Sequence, residues 1–396
     1  MKRSASIGFC LALLVALCGQ PVRSAPTPAP KVLPISVNGK YGYVDRSGNI
    51  VIAPRYDYGN NFREHRATVC VGVKSWFSLA KGFRTPEVAK CRFIDESGTR
   101  LGAIAAEPDS YFSDGRAVAK IGKKFGYVDA AGKLVIPARF DFADAFQGGF
   151  AAVEVGKKWG YVDAAGAAVG APRFDSADDF ADGLAAVELG DKWGYLDARG
   201  ALRIRPRFDA AEKFDRGMAS VEVGSSWGWI DRSGKLVIPA TYGETGNFAD
   251  GLAAVKTGDK WGFIDALGTM AIPAEYDDVS GGFSEGLAAV KSGEKWGYIN
   301  KAGVMKIEAQ YDYADPFSEG LAPVYSGATK FYTFDRRPVD GKAGFIDTTG
   351  RVVIPLSFDF ARFGQVGFDH GLALVYLGDR FGYINDKGKY VWQPTK

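Results

Sequence analysis

The stretch Lys158-Trp159-Gly160-Tyr161-Val162-Asp163 occurs along this chain in ten versions. Its glycine marks the phase at Gly42, Gly126, Gly160, Gly194, Gly228, Gly262, Gly297, Gly344 and Gly382, with Arg92 in its place in one damaged copy. From Arg92 to Gly262 the spacing is 34 residues five times running, and wider gaps flank the series. Self-similarity at a period of this size marks solenoids, propellers or arrays.

Working outward from the hexad, Phe150-Ala151-Ala152-Val153-Glu154-Val155 alternates, and Gly156-Lys157 reverses the chain into Trp159-Gly160-Tyr161-Val162, which predicts a hairpin. Asp163-Ala164-Ala165-Gly166 is a turn: Asp accepts a local backbone N–H and Gly supplies a positive φ. A third strand follows, clearest in Leu134-Val135-Ile136-Pro137 and Leu236-Val237-Ile238-Pro239, with the proline expected to end pairing. Each repeat is thus predicted to be a three-stranded meander.

The connectors, such as Arg173-Phe174-Asp175 through Phe180, suggest a short helical turn capped by Asp and pinned by two phenylalanines. The glycine beside bulky rings is expected to leave room for a neighbouring aromatic to lie across its backbone. An aromatic buries on the order of 150 to 250 Å². Trp159, Trp193, Trp227, Trp261 and Trp296 are therefore assigned to the repeat core, and since one meander cannot cover its own face, neighbours must stack.

Those tryptophan-glycine units, with the downstream Gly-x-x-x-Ile-Pro and Phe/Tyr-Asp elements, resemble the WG-repeat (KWG-type) family across nearly all of the chain. The resemblance implies a β-rich array of the kind regarded as an interaction module in bacterial proteins, and brings no catalytic residues. Tyr41, Phe125 and Phe381 stand in for tryptophan; Ala343 loses the ring, and Cys91-Arg92 loses ring and glycine. The expected fold is all-β: about ten meanders in an open or superhelical, solenoid-like array, with a closed propeller-like ring as the alternative. Ten units exceed the usual four to eight blades, and three strands fall short of four.

Met1-Lys2-Arg3, the apolar run Ile7 to Leu17 and Val22-Arg23-Ser24 predict a secretory signal peptide over residues 1–24. The apolar run is short of the roughly 17 to 25 residues a membrane span needs. Cys18 sits in a weak lipoprotein box, because Leu17 fills its small-residue position. Residues 25–36 form a proline-rich leader, and residues 37–396 one repeat domain with insertions near 74–88 and 327–340. The chain is expected to be exported to the periplasm or beyond. Without Lys2, Arg3 and Arg23 the bases equal the 46 acids. No basic stripe is left for nucleic acid or an anionic membrane surface, and no membrane span is expected in the mature chain.

Neither His65 nor His370 has spaced metal-ligating or catalytic partners in the sequence, and no nucleophile elbow or phosphate loop occurs, so no catalytic residue, metal or cofactor is assigned. The repeated Asp-x-x-Gly lacks the several oxygen ligands calcium requires and is assigned to turns. Two cysteines remain after export. Cys70 aligns with Glu154 and Cys91 with Trp159, positions that face each other across the hairpin, so a Cys70–Cys91 disulfide is expected.

Both insertions are aromatic and basic, which makes Trp76, Phe77, Phe83, Arg84, Phe331, Tyr332, Phe334, Arg336 and Arg337 candidate partner contacts. The function expected is a non-enzymatic scaffold for protein–protein interaction. The alternative is a carbohydrate or cell-wall-glycan binder that presents its repeated rings, which would leave some of the five tryptophans exposed.

Overall fold

The computed structural model describes residues 31–72, 90–331, 338–359 and 367–394. No helix occurs among them. Ten antiparallel sheets succeed one another along the chain, and we number them as blades 1 to 10.

Blade 4 shows the pattern. Phe142–Ala143, Phe150–Val155, Lys158–Asp163 and Ala168–Phe174 pair in that order. Gly156 and Lys157 both take positive φ, the geometry of the tight hairpin expected there. The Asp163 carboxylate accepts the N–H groups of Ala165 and Ala167. Asn300 and Asn385 do the same in their copies, so the turn needs an acceptor oxygen and not a charge.

The connector is a strand, not a helical turn. Seven of the ten sheets have four strands because two to seven connector residues pair with the hairpin that follows. Asp141, expected to cap a helix, binds two other groups: Oδ1 accepts from Lys124 Nζ at 2.6 Å and Oδ2 from Gly156 N at 2.9 Å. The third strand also runs on past its proline. In blade 3, Tyr127 pairs with Ile136 and Phe125 with Phe140, so Pro137-Ala138-Arg139 bulges where proline needs no ladder bond. That bulge, and not an aromatic ring, covers the glycine: a Cβ on Gly126 would lie 2.4 Å from Ile136 O.

Tyr161 and Val162 face opposite blades. Tyr161 packs with Ala185, Val187 and Leu196 of blade 5, while Val162 packs with Tyr127 and Ile136 of blade 3. The core is therefore a series of clusters between blades. The alternation of the hexad supplies both halves of each cluster.

The series closes into a ring, the alternative architecture and not the open array. Ile35 and Val44 of blade 1 share a cluster with Tyr383, Val391 and Trp392 of blade 10. Tyr383 Oη donates to Pro34 O at 3.0 Å. Blade 1 also meets blade 10 as other blades meet their predecessors: Gly166 lies against Ile136, Gly234 against Ile204, and Gly48 against Val391.

Candidate functional site

Three side-chain ties recur where one blade hands the chain to the next. In the first, a hexad lysine binds the aspartate seventeen residues on, as in Lys158 to Asp175 and Lys192 to Asp209, both 2.5 Å. The aspartate's second oxygen accepts a hairpin N–H, Gly190 or Gly224. In the second, a buried tyrosine hydroxyl donates to a connector carbonyl: Tyr127 to Asp144 O, Tyr195 to Glu212 O, Tyr298 to Asp315 O. In the third, an acid held at positive φ accepts a glycine N–H of the next blade: Asp114 from Gly149, Asp182 from Gly217, Glu285 from Gly320.

The junction from blade 6 to blade 7 lacks all three, alone in this among the described junctions. Ser226 and Gly243 stand where the lysine and aspartate belong. Trp229 replaces the tyrosine, leaving Gly246 O without its hydroxyl, and Arg216 replaces the acid that would hold Gly251 N. Trp229 keeps only the ring contact, with Phe248 at 5.5 Å between centroids where Tyr195 and Phe214 lie 4.7 Å apart. Phe248 is only half-buried, whereas its counterparts Phe214 and Phe283 are each 1% exposed. Phe263 also lacks the hydroxyl, so two adjacent connectors lose that tie.

A cavity of about 1170 Å³ opens at this junction, lined by connector residues of blades 6 to 9, from Glu212 through Glu319. Connectors of four successive blades reach this common space. Trp227 and Trp261, both half-buried, line the cavity with Phe248. Lys256 Nζ lies 5.7 Å over the Trp261 ring and 2.6 Å from Glu244. Ser220, 7% exposed, also lines it; the copies at Ala152, Ala186, Ala254 and Ala289 carry only a methyl.

Electrostatics beside the cavity are unusual. Burial pushes the Asp144 carboxyl up to about 7, and the Asp179 and Asp178 carboxylates add to the rise. Burial also raises Asp178. Burial works against the Lys213 ammonium, but Asp179, 2.8 Å away, together with Asp178 and Glu212 outweighs it and the lysine's pKa goes up.

Of the residues singled out in the sequence, Trp296 is buried, and Trp159, Trp193, Trp227 and Trp261 are half-buried. The fully buried ring of each hexad is the one after the glycine, such as Tyr161 or Tyr195. Cys70 and Cys91 form the expected disulfide, directly opposed across their hairpin. Ala343 is compensated: Tyr325, its cross-strand partner, is 1% exposed and packs on Tyr313 at 5.8 Å. Phe331 is exposed. Trp76, Phe77, Phe83, Arg84, Tyr332, Phe334, Arg336 and Arg337 lie outside the described residues, as do residues 1–24.

No helix among the described residues is long and apolar enough to cross a membrane. No curated protein sequence matches the chain. Among solved structures, a eukaryotic initiation factor is similar at 12% identity and a TM-score of 0.47, over 82% of this chain and 95% of that one. Citrobacter koseri AztD is similar at 11% identity and a TM-score of 0.35, over 92% and 94%. Kluyveromyces lactis Hsv2p is similar at 12% identity and 0.33, over 60% and 91%. Family-level similarity is of another order: the model described as WG containing repeat matches residues 41–74, 125–159, 159–193, 193–225, 227–261, 261–296, 296–327 and 344–380. With most of its length matched and its copies stacked into ten blades, the chain belongs to the WG-repeat family.

Proposed function

We propose that this protein is an exported, non-enzymatic scaffold that holds a protein partner at the cavity lined by blades 6 to 9. The observation that carries the reading is that a large cavity spanning blades 6 to 9 takes in the one described junction where all three ties are abandoned. Elsewhere the repeat commits its polar groups to structure: one aspartate to the turn, one to the lysine tie, one acid to the next blade. Where those commitments lapse together, the residues answer to something other than the ring. Export rests on the residue 1–24 segment, and the periplasm or exterior is the compartment proposed.

A glycan reading draws on Trp227 and Trp261, whose rings line the cavity beside carboxylates. The two are separated by grafting the tied connector Asp209–Asp215 onto Gly243–Ala249, with Ser226→Lys to complete the tie. An envelope protein captured by the wild-type chain and lost with the graft supports the scaffold. Retention on purified cell-wall glycan, lost with the same graft, favours the glycan binder, and capture indifferent to the graft sinks both.

A further inference from the structure

Six carboxylates and two cations line the cavity between blades 6 and 9. Both cations have acidic neighbours of their own: Lys213 binds Asp179 at 2.8 Å, and Arg216 lies 3.9 Å from Asp215. Two of the acids, Glu285 and Glu319, are fixed in place by backbone donors without being neutralised, while a third, Asp250, is fixed likewise but has Lys301 Nζ at 4.0 Å. Asp250 accepts Gly286 N, Glu285 accepts Gly320 N, and Glu319 accepts His370 N and Gly371 N. Backbone N–H groups carry no net charge, so the Glu285 and Glu319 carboxylates keep theirs and present their remaining lone pairs.

Aromatic faces accompany the acids. Lys256 already sits over Trp261 with its ammonium on Glu244, so this lining holds a cation between ring and carboxylate. Ser220 adds an independent sign of a ligand. It is more than nine-tenths buried, lines the cavity, and its hydroxyl makes no hydrogen bond among the described residues, whereas Thr68, the hydroxyl at the same register of blade 2, donates to Ser110 O and four other blades have alanine there. A hydroxyl kept in such a place without a protein partner suits a polar ligand.

The cavity exceeds the roughly 300 to 1,000 Å³ of small-molecule sites, and it runs across four blades. Gly246, Gly281 and Gly282 leave backbone open along it, and two successive connectors lack the tyrosine hydroxyl. An elongated ligand that offers its own amides and cationic side chains matches this lining better than a compact amine.

We infer that the cavity binds an extended peptide segment bearing lysine or arginine, its cations held between the tryptophan rings and the fixed carboxylates. This rests on the scaffold reading and names the partner's chemistry. Charge complementarity makes the binding salt-sensitive.

The test is fluorescence anisotropy of the full exported chain with a labelled Arg-Gly repeat heptapeptide, beside its Glu-Gly counterpart, spermine and a cell-wall glycan fragment. Glu285→Gln and Glu244→Gln each retain an amide oxygen as acceptor while removing charge, so the fold is kept. Binding of the Arg-Gly peptide should weaken about fivefold in each, and should be unchanged in Glu154→Gln and Glu188→Gln, which lie on blades 4 and 5. Failure of that peptide to bind, equal weakening by the control variants, or displacement by the glycan fragment at lower concentration than by unlabelled Arg-Gly peptide would overturn the inference. Spermine displacing the probe more effectively than that unlabelled peptide would also overturn it, in favour of a small cation. If the peptide fails while the connector graft still abolishes capture of an envelope protein, the scaffold reading stands and only the peptide chemistry falls.

Discussion

Lys158 Nζ lies 2.5 Å from Asp175 Oδ1, and the other oxygen of that carboxylate accepts Gly190 N at 2.9 Å. One aspartate thus joins the hairpin of blade 4 to the hairpin of blade 5. The lysine half is a solvent-exposed ion pair, side chains 46% and 41% exposed, and such pairs contribute little. The N–H half satisfies a backbone donor at a turn whose glycine needs positive φ. Lys158→Met should therefore cost about 0.5 kcal/mol or less, and Asp175→Ala about 1 kcal/mol or more. Urea unfolding of the two variants checks the order, and an equal loss in both would put the weight on the ion pair.

The hexad glycine is fixed by space and not by conformation. A Cβ on Gly194 would lie 2.5 Å from Ile204 O and 2.6 Å from Pro206 N, both backbone atoms of the bulge. Neither can move without opening the third strand. Gly224, at φ +69, has nothing within 4 Å, so alanine there meets only backbone strain. Gly194→Ala should cost about 3 kcal/mol or more, and Gly224→Ala about 1 kcal/mol. Thermal unfolding of both would show the gap, and similar costs would mean the bulge yields.

Asp144 makes stability depend on pH. Its folded-state pKa, about 7, is above the ordinary value near 3.9. The native state therefore binds this proton more tightly than the unfolded chain does. The contribution is full below about pH 4 and is lost as pH rises through about 7. Asp179 and Asp178 push in the same direction, and Lys213 opposes them. Asp144→Asn keeps the backbone oxygen that Tyr127 uses but cannot ionise. The fall in Tm from about pH 5 to about pH 8 should be smaller in this variant than in wild type, and an unchanged slope would remove Asp144 as its source.

Much of this architecture is legible in the chain because every blade solves one packing problem with the same residues. Period, hairpin, Asx turn and the Cys70–Cys91 pairing all follow from local spacing and cross-strand register. Closure does not, since the Tyr383 to Pro34 bond joins residues 349 apart and no local pattern encodes it. The connector strand was hidden for a different reason. Phe-Asp before a polar run suits a helix cap as well as it suits an acceptor for lysine, and only the partner seventeen residues upstream decides. The junction to blade 7 left a signal that insertions do not: Ser226 with Gly243, Trp229 and Arg216 are coordinated departures within copies of the ordinary length. Phe345 and Phe263, which also lack the hydroxyl, show that any one departure alone says little.

The seam between blades 10 and 1 should be the weakest join of the ring. Every other pair of blades is also joined by the running chain, whereas here side chains and the Tyr383 hydroxyl act alone. Tyr383→Phe and Tyr195→Phe each remove one hydroxyl bond to a carbonyl, worth about 1 kcal/mol. Their cost to global unfolding should be alike. Their effect on local opening should not be, because loss of the seam bond releases the first and last blades without breaking the others. Hydrogen exchange in Val32–Val37 and Arg380–Asn385 should quicken in Tyr383→Phe, while in Tyr195→Phe exchange near the seam should match wild type. Equal exchange at the seam in both variants would mean that the apolar cluster of Ile35, Val44 and Trp392 holds the ring shut without the hydrogen bond.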